Sequence, residues 1–130
     1  MTASYDNKTT VFKPFTEACE RFLGFLVKKY SFSKSEPRIM PPECWIEYRN
    51  SDMGIELYVI YEYGDYPWIR ITINGKDNSL DNIIKRKWPN QAINRKKGPS
   101  DPCMRIDFAL EKYSNVLQEH ISELTEKVIT

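Results

Sequence analysis

The chain has 130 residues, a formal net charge of +1, 41% hydrophobic residues and 28% charged residues. With eight Tyr, six Phe and three Trp it has enough apolar surface to fold, which excludes a disordered protein. The length fits one domain with its own core, and the balanced charge excludes a global field that would favour nucleic acid or an anionic membrane.

The N-terminal part predicts a flexible arm over residues 1–12, followed by one helix. Residues 1–10 are polar and lack the apolar stretch of a signal peptide, and no apolar run approaches the about 20 residues that span a bilayer. We therefore expect a cytoplasmic protein. Pro14 suits the first turn of a helix, and apolar residues then recur at helical spacing as far as Tyr30. Residues 31–42 contain three prolines and are predicted to be an irregular surface connector.

The middle of the chain predicts a β-meander. Apolar and polar residues alternate through residues 43–49, 55–63 and 67–74, which is typical of strands with one buried face. Short turn segments separate these strands, so they are expected to be antiparallel neighbours. The expected core face carries Leu57, Val59, Ile69 and Ile71, and the expected outer face carries Trp45, Glu47, Arg49, Glu56, Tyr58, Ile60, Glu62, Trp68, Arg70 and Thr72.

Two helices are predicted after the sheet. Residues 78–88 have the apolar spacing of a short helix capped by Asn78 or Ser79, and residues 90–100 are a polar, basic loop. Asp101 and Pro102 then begin a long helix with one apolar stripe. The predicted fold is an α+β two-layer sandwich, with a three-stranded antiparallel meander covered on one face by the N-terminal helix and the C-terminal helices. It forms a single domain over residues 13–130.

The residue types that carry most enzyme and metal chemistry are sparse. The only histidine, His120, has no orienting partner or nucleophile that the sequence identifies, so we interpret it as a packed residue beside the last apolar stripe. Cys19, Cys44 and Cys103 form no CxxC pair and are predicted to be reduced thiols, and no glycine-rich nucleotide motif occurs. We predict no enzyme, no metal site and no cofactor. An unrecognised carboxylate site at Glu47, Glu56 or Glu62 is the enzymatic alternative.

The predicted outer face is more apolar than a solvated face requires. Trp, Tyr and Arg are also the residue types that dominate binding hot spots. Either this face is a protein-binding site, or another segment such as residues 31–42 covers it. The predicted protein-binding residues are Trp45, Glu47, Arg49, Tyr58, Trp68 and Arg70.

A basic segment between residues 85 and 97 is the second candidate surface. It contains no acidic residue, and Trp88 within it is a candidate for stacking on a base. The alternatives are a nucleic-acid site, a site for an acidic protein and a solvated loop. Its cations are Lys85, Arg86, Lys87, Arg95, Lys96 and Lys97.

Residues 15–74 resemble small bacterial proteins of the immunity type, which bind and neutralise a cognate toxin domain. The resemblance lies in the helix ending FLGFLVKKYSF (22–32) and in the strands WIEYRN (45–50) and IELYVIY (55–61). It implies a non-enzymatic antitoxin whose partner is a protein. Type III secretion chaperones are also similar, in size and in starting with a helix and three strands. Neither resemblance assigns a functional residue or an oligomeric state.

Overall fold

The computed structural model describes residues 11–127. The chain is α+β, as predicted, with an N-terminal helix, an antiparallel sheet and C-terminal helices. The elements are helix α1 (Lys13–Tyr30), strands β1 (Ser33–Lys34), β2 (Arg38–Met40), β3 (Glu43–Asn50), β4 (Ile55–Glu62), β5 (Trp68–Ile73) and β6 (Lys76–Ser79), helix α2 (Leu80–Lys87), two 3-10 helices (Pro89–Gln91 and Arg95–Lys97) and helix α3 (Pro102–Lys127).

The sheet contains more strands than predicted. The expected meander forms its centre, but strands β1 and β2 pair with the free edge of β3, and β6 pairs with β5. The connector over residues 31–42 is therefore not irregular throughout, and the two predicted capping residues, Asn78 and Ser79, also form the end of strand β6. The physical reason is that the edge strands β3 and β5 present backbone N–H and C=O groups, which these short segments satisfy.

One hydrophobic cluster joins the inner face of the sheet to the helices. Leu57, Val59, Ile69 and Ile71 are fully buried in it, as predicted. Helices α2 and α3 both contact β5, and α1 packs against α3. The core therefore lies on the helical side of the sheet.

The N-terminal boundary of the core lies earlier than predicted. Phe12, assigned to the flexible arm, is buried, and its ring meets the Tyr61 ring edge-on with centroids 6.2 Å apart. Phe15 stacks on the same ring at 5.1 Å. Residues 1–10 of the predicted arm lie outside the described residues, as do residues 128–130 of the predicted domain.

Helix α2 begins and ends close to where the sequence predicts, and α3 begins at the predicted Pro102. Ser79 is the N-cap of α2, and its side-chain oxygen accepts a hydrogen bond from the Asn82 backbone N–H at 3.0 Å. Ser114 on α3 donates to the Phe22 carbonyl oxygen at 2.6 Å, which ties α3 to α1.

Within residues 11–127, no helix combines the length and apolar character needed to cross a membrane.

Candidate interaction surface

The outer face of the sheet carries three rows of side chains that run across β3, β4 and β5. Strand register places every predicted protein-binding residue on this face, because residues paired across an antiparallel sheet point to the same side. The first row contains Trp45, Ile60 and Trp68, the second Glu47, Tyr58 and Arg70, and the third Arg49, Glu56 and Thr72.

The first row is apolar. Trp68 is 37% exposed, whereas Ile60 is only 3% exposed although it points outward. Ile60 therefore lies on the outer face, as predicted, but it is shielded from solvent because a tryptophan flanks it on each neighbouring strand. The Trp45 indole N–H donates to Glu43 Oε1 at 2.9 Å, so this ring is held in one orientation.

The other two rows carry charges that are paired within the sheet. Arg49 Nη2 lies 2.6 Å from Glu47 Oε2, and Arg49 Nε lies 3.3 Å from Glu56 Oε2. The Tyr58 hydroxyl donates to Glu56 Oε1 at 2.9 Å, and this hydrogen bond raises the pKa of Tyr58. The face therefore combines an apolar row with a polar network that positions the tyrosine.

Tyr58 connects the apolar row to the cations. Its ring meets the Trp45 ring edge-on, with centroids 6.4 Å apart, and the Arg70 guanidinium lies 5.7 Å from the Tyr58 ring centroid. Arg70 Nε also donates to Asp77 Oδ1 at 2.8 Å, which lowers the pKa of Asp77. Aromatic and cation contacts of this kind hold the three side chains in defined positions.

Residues 31–42 extend the sheet at its edge and do not lie across its outer face. The Ser35 backbone N–H donates to the Glu47 carbonyl oxygen at 2.9 Å, and the Glu47 backbone N–H donates to Ser35 Oγ at 3.0 Å. Strand β2 adds Arg38 beside Trp45 and Met40 beside Glu43. These two residues were not among the predicted contacts, although the alternation of polar Arg38 and apolar Ile39 is a weak signal of a strand.

Neither edge of the sheet is suited to pairing with a strand of another protein. On one side, β1 has two residues and β2 has three, with Pro37 between them. On the other side, β6 has four residues and leads directly into α2. Short or proline-interrupted edges oppose strand addition. A partner of this sheet would therefore contact side chains on its face.

The predicted basic segment is not one free cluster of cations. Arg95 Nη2 contacts Asp81 Oδ2 at 3.1 Å and donates to the hydroxyl oxygen of Tyr113 at 3.0 Å. The Tyr113 hydroxyl donates in turn to Asp81 Oδ2 at 2.9 Å, and burial raises the pKa of Tyr113. Arg95 therefore links the loop after α2 to both α2 and α3. Lys85, Arg86, Lys96 and Lys97 are exposed, and Lys87 is half-buried.

Trp88 is engaged within the protein on one face of its ring. Its indole stacks on the His120 ring with centroids 3.9 Å apart and an interplanar angle of 7°, so one face of the indole is occupied. His120 Nδ1 lies 2.7 Å from Glu123 Oε2, and Nε2 lies 2.8 Å from Gln91 Oε1. His120 is buried among these groups, which agrees with its interpretation as a packed residue.

The groups considered for catalysis lie apart or are already engaged. Cys19 and Cys44 are buried free thiols, and burial raises the pKa of Cys44 to about 11 and that of Cys19 further. The side chain of Cys103 lies outside the described part of the structure. Among the side chains that are described, no group of three or more His, Cys, Asp or Glu could hold a metal ion.

One cavity of about 380 Å³ lies at the end of the β3–β4 hairpin, within the size range of ligand sites. Its only carboxylate is Glu56, which Arg49 and Tyr58 already engage. Glu47 does not line this cavity, and neither does Glu62, which is exposed. Without a second carboxylate or a histidine, the cavity lacks a pair for acid–base chemistry. Its other lining residues are Asn50, Ser51, Gly54, Ile55, Thr72, Asn74 and Gly75.

Comparison with known proteins found no matching family, no matching characterised protein and no matching solved structure. The interpretation of this surface therefore depends on its own chemistry. That chemistry is an apolar row beside paired charges, with no assembled catalytic group among the described residues that line it.

Proposed function

We propose that the chain is a non-enzymatic, cytoplasmic protein-binding module and that the outer face of the sheet is its contact surface. The observation that carries the proposal is the row of Trp45, Ile60 and Trp68 on a face that residues 31–42 leave uncovered. The proposal assumes a two-layer arrangement, in which the helices cover only the inner face. Trp68 is exposed and Trp45 is half-buried in this row, and exposed apolar surface beside charged side chains is typical of interaction sites on soluble proteins.

The arrangement of the aromatic side chains supports tight binding. Glu43 holds the Trp45 indole, and Tyr58 is held by Glu56 on one side and approached by Arg70 on the other. Side chains that are already ordered lose little conformational entropy when a partner binds. The predicted contacts Glu47, Arg49 and Arg70 surround these rings and would exclude water from them.

The specific form of this function that we propose is neutralisation of a cognate toxin domain, as in immunity-type proteins. Such a role requires a preformed surface and no catalytic group. The supporting features are the ordered aromatic residues of the face and the short edges of the sheet, which favour recognition through side chains. The partner would then be a folded protein domain.

Capture of partners from the native cell tests the proposal. The bait proteins are the wild type, the double variant Trp45→Ala/Trp68→Ala, and a control double variant Val27→Ala/Met104→Ala. Val27 and Met104 are 40% and 60% exposed on α1 and α3, so the control removes apolar surface from the helices and leaves the sheet face unchanged. Far-UV and near-UV circular dichroism check that each variant is folded.

The expected result is a protein that the wild type and the control capture and that the tryptophan variant loses. In a titration with the purified partner, each tryptophan truncation should weaken binding by about 30-fold, which corresponds to about 2 kcal/mol. Equal recovery of every captured protein by all three baits would show that the outer face is not the contact surface.

A further inference from the structure

The part of the basic segment that follows α2 is held against this helix by Arg95. The guanidinium of Arg95 bonds to Asp81 in the first turn of α2 and to Tyr113 on α3. The Lys96 backbone N–H donates to Asn94 Oδ1 at 3.1 Å, which shapes the turn that follows. Lys96 and Lys97 are therefore presented from a fixed turn beside α2.

Apart from Arg95, the exposed cations of the basic segment have no acidic partner among the residues that the structure describes. Lys85, Arg86, Lys96 and Lys97 form no ion pair with any residue in the described part of the chain. The helix dipole accounts for cations in the last turn of α2, because that end of a helix is negative. It does not account for Lys96 and Lys97, which lie on a separate turn.

The chemistry of the segment favours an anionic partner that is recognised by charge. None of the large hydrophobic side chains that are exposed lies between residues 85 and 97, and Trp88 is stacked on His120. An acidic protein interface would need an apolar centre, because apolar and aromatic anchors supply most of its binding energy. A phosphate backbone needs only cations in fixed positions.

We propose that the basic segment is a nucleic-acid-binding surface that contacts the phosphate backbone without reading or stacking on bases. Lys85, Arg86, Lys96 and Lys97 make the contacts, and Arg95 is a positioning residue. This surface lies on α2 and the loop after it, whereas the proposed protein contact lies on strands β3, β4 and β5, so the two proposals concern different elements of the fold.

Fluorescence anisotropy with a labelled single-stranded DNA of about 20 nucleotides tests this proposal at salt concentrations from about 50 to about 200 mM. The test variant is Lys96→Gln/Lys97→Gln. The matched control is Lys13→Gln/Lys28→Gln, which makes the same change in net charge at two exposed positions of α1. All four lysines lie on the surface, so circular dichroism should show the native fold in both variants.

The wild type should bind, and its affinity should fall as salt rises. The test variant should bind about tenfold more weakly at low salt, and the slope of log affinity against log salt should decrease by about 1.4, because each lost phosphate contact removes about 0.7. The control should stay within about twofold of the wild type at each salt concentration.

Three outcomes would overturn the proposal. The first is no salt-sensitive binding by the wild type. The second is equal binding by the test and control variants, which would mean that net charge alone is responsible. The third is that the wild type binds poly-glutamate as tightly as the single-stranded DNA or more tightly, which would identify an acidic peptide as the preferred ligand. None of these outcomes affects the capture experiment, because no substitution in it lies in the basic segment.

Discussion

The indole of Trp88 lies flat on the imidazole of His120, with ring centroids 3.9 Å apart and an interplanar angle of 7°. Trp88 follows α2 and His120 lies in α3, so this stack joins the loop after α2 to the terminal helix. Gln91 Nε2 also donates to Glu119 Oε1 at 3.2 Å, which orients the Gln91 amide oxygen toward His120. The pair therefore has both a packing role and a hydrogen-bonding role.

Substitution of His120 should separate these two roles. His120→Phe keeps a ring against Trp88 and loses the hydrogen bonds to Gln91 and Glu123, so the free energy of unfolding should fall by about 1 kcal/mol. His120→Ala also loses the stack and should lower it by about 2 kcal/mol or more. Urea unfolding measures both values. An alanine variant as stable as the phenylalanine variant would show that the stack contributes nothing.

Two buried tyrosines should respond oppositely to removal of the hydroxyl group. The Tyr48 hydroxyl is buried without a hydrogen-bond partner among the described residues, so Tyr48→Phe should leave stability unchanged or raise it by up to about 1 kcal/mol. The Tyr113 hydroxyl bonds to Asp81 and Arg95, so Tyr113→Phe should lower stability by about 1–3 kcal/mol. Chemical denaturation under identical conditions compares the two. The assignment of an unsatisfied hydroxyl fails if Tyr48→Phe is the more destabilising change.

The fold should lose stability in mildly alkaline solution. Burial raises the pKa of Cys44 from 9.0 to about 11, and it raises the pKa values of Cys19 and Tyr113 above their usual ranges. Above about pH 9 the unfolded chain releases protons that the folded chain retains, so the free energy of unfolding falls as the pH rises toward the folded-state values. Near neutral pH these groups are protonated in both the folded and the unfolded chain and do not change the stability.

Urea midpoints at about pH 7, 9 and 10.5 measure this dependence. The variant Cys44→Ala removes one contributor and should flatten the decline above pH 9. A wild-type midpoint that stays constant from pH 9 to pH 10.5 would contradict the prediction.

The ion pair between Arg70 and Asp77 should be visible in the titration of Asp77. Arg70 lowers the pKa of Asp77 through a hydrogen bond at 2.8 Å, so the carboxylate should protonate below its usual range. The stability that the pair contributes is present at neutral pH and is lost as the pH falls through the folded-state pKa. Carboxyl carbon shifts in NMR spectra measure the midpoint. Arg70→Gln should return it toward 3.8, and an unchanged midpoint would exclude the pairing in solution.

Trp68 should matter more for binding than for folding. It is 37% exposed at the end of the apolar row, so Trp68→Ala should change the free energy of unfolding by less than about 1.5 kcal/mol. The same substitution should weaken partner binding by about 2 kcal/mol or more. A thermal melt combined with a binding titration measures the two effects. Loss of stability as large as the loss of affinity would indicate a structural role instead.

Much of the fold could be predicted because its signals are local. Alternating hydrophobic residues predicted the three central strands, and β3, β4 and β5 begin and end within about one residue of the predicted positions. The same alternation predicted which side chains share the outer face. Strands β1, β2 and β6 were missed because they have two to four residues each, and their pairing depends on edges supplied by distant parts of the chain.

By itself, the sequence determined the α+β class, the inner and outer faces of the sheet, and the presence of six cations between residues 85 and 97. Only the tertiary structure decided which of these side chains are free to contact a partner and which are engaged inside the protein. Arg95 is engaged by Asp81, 14 residues earlier, and by Tyr113, 18 residues later, and Trp88 is engaged by His120. The period of a strand or helix is set by neighbouring residues, whereas the partner of a side chain is set by chain segments that meet only after folding.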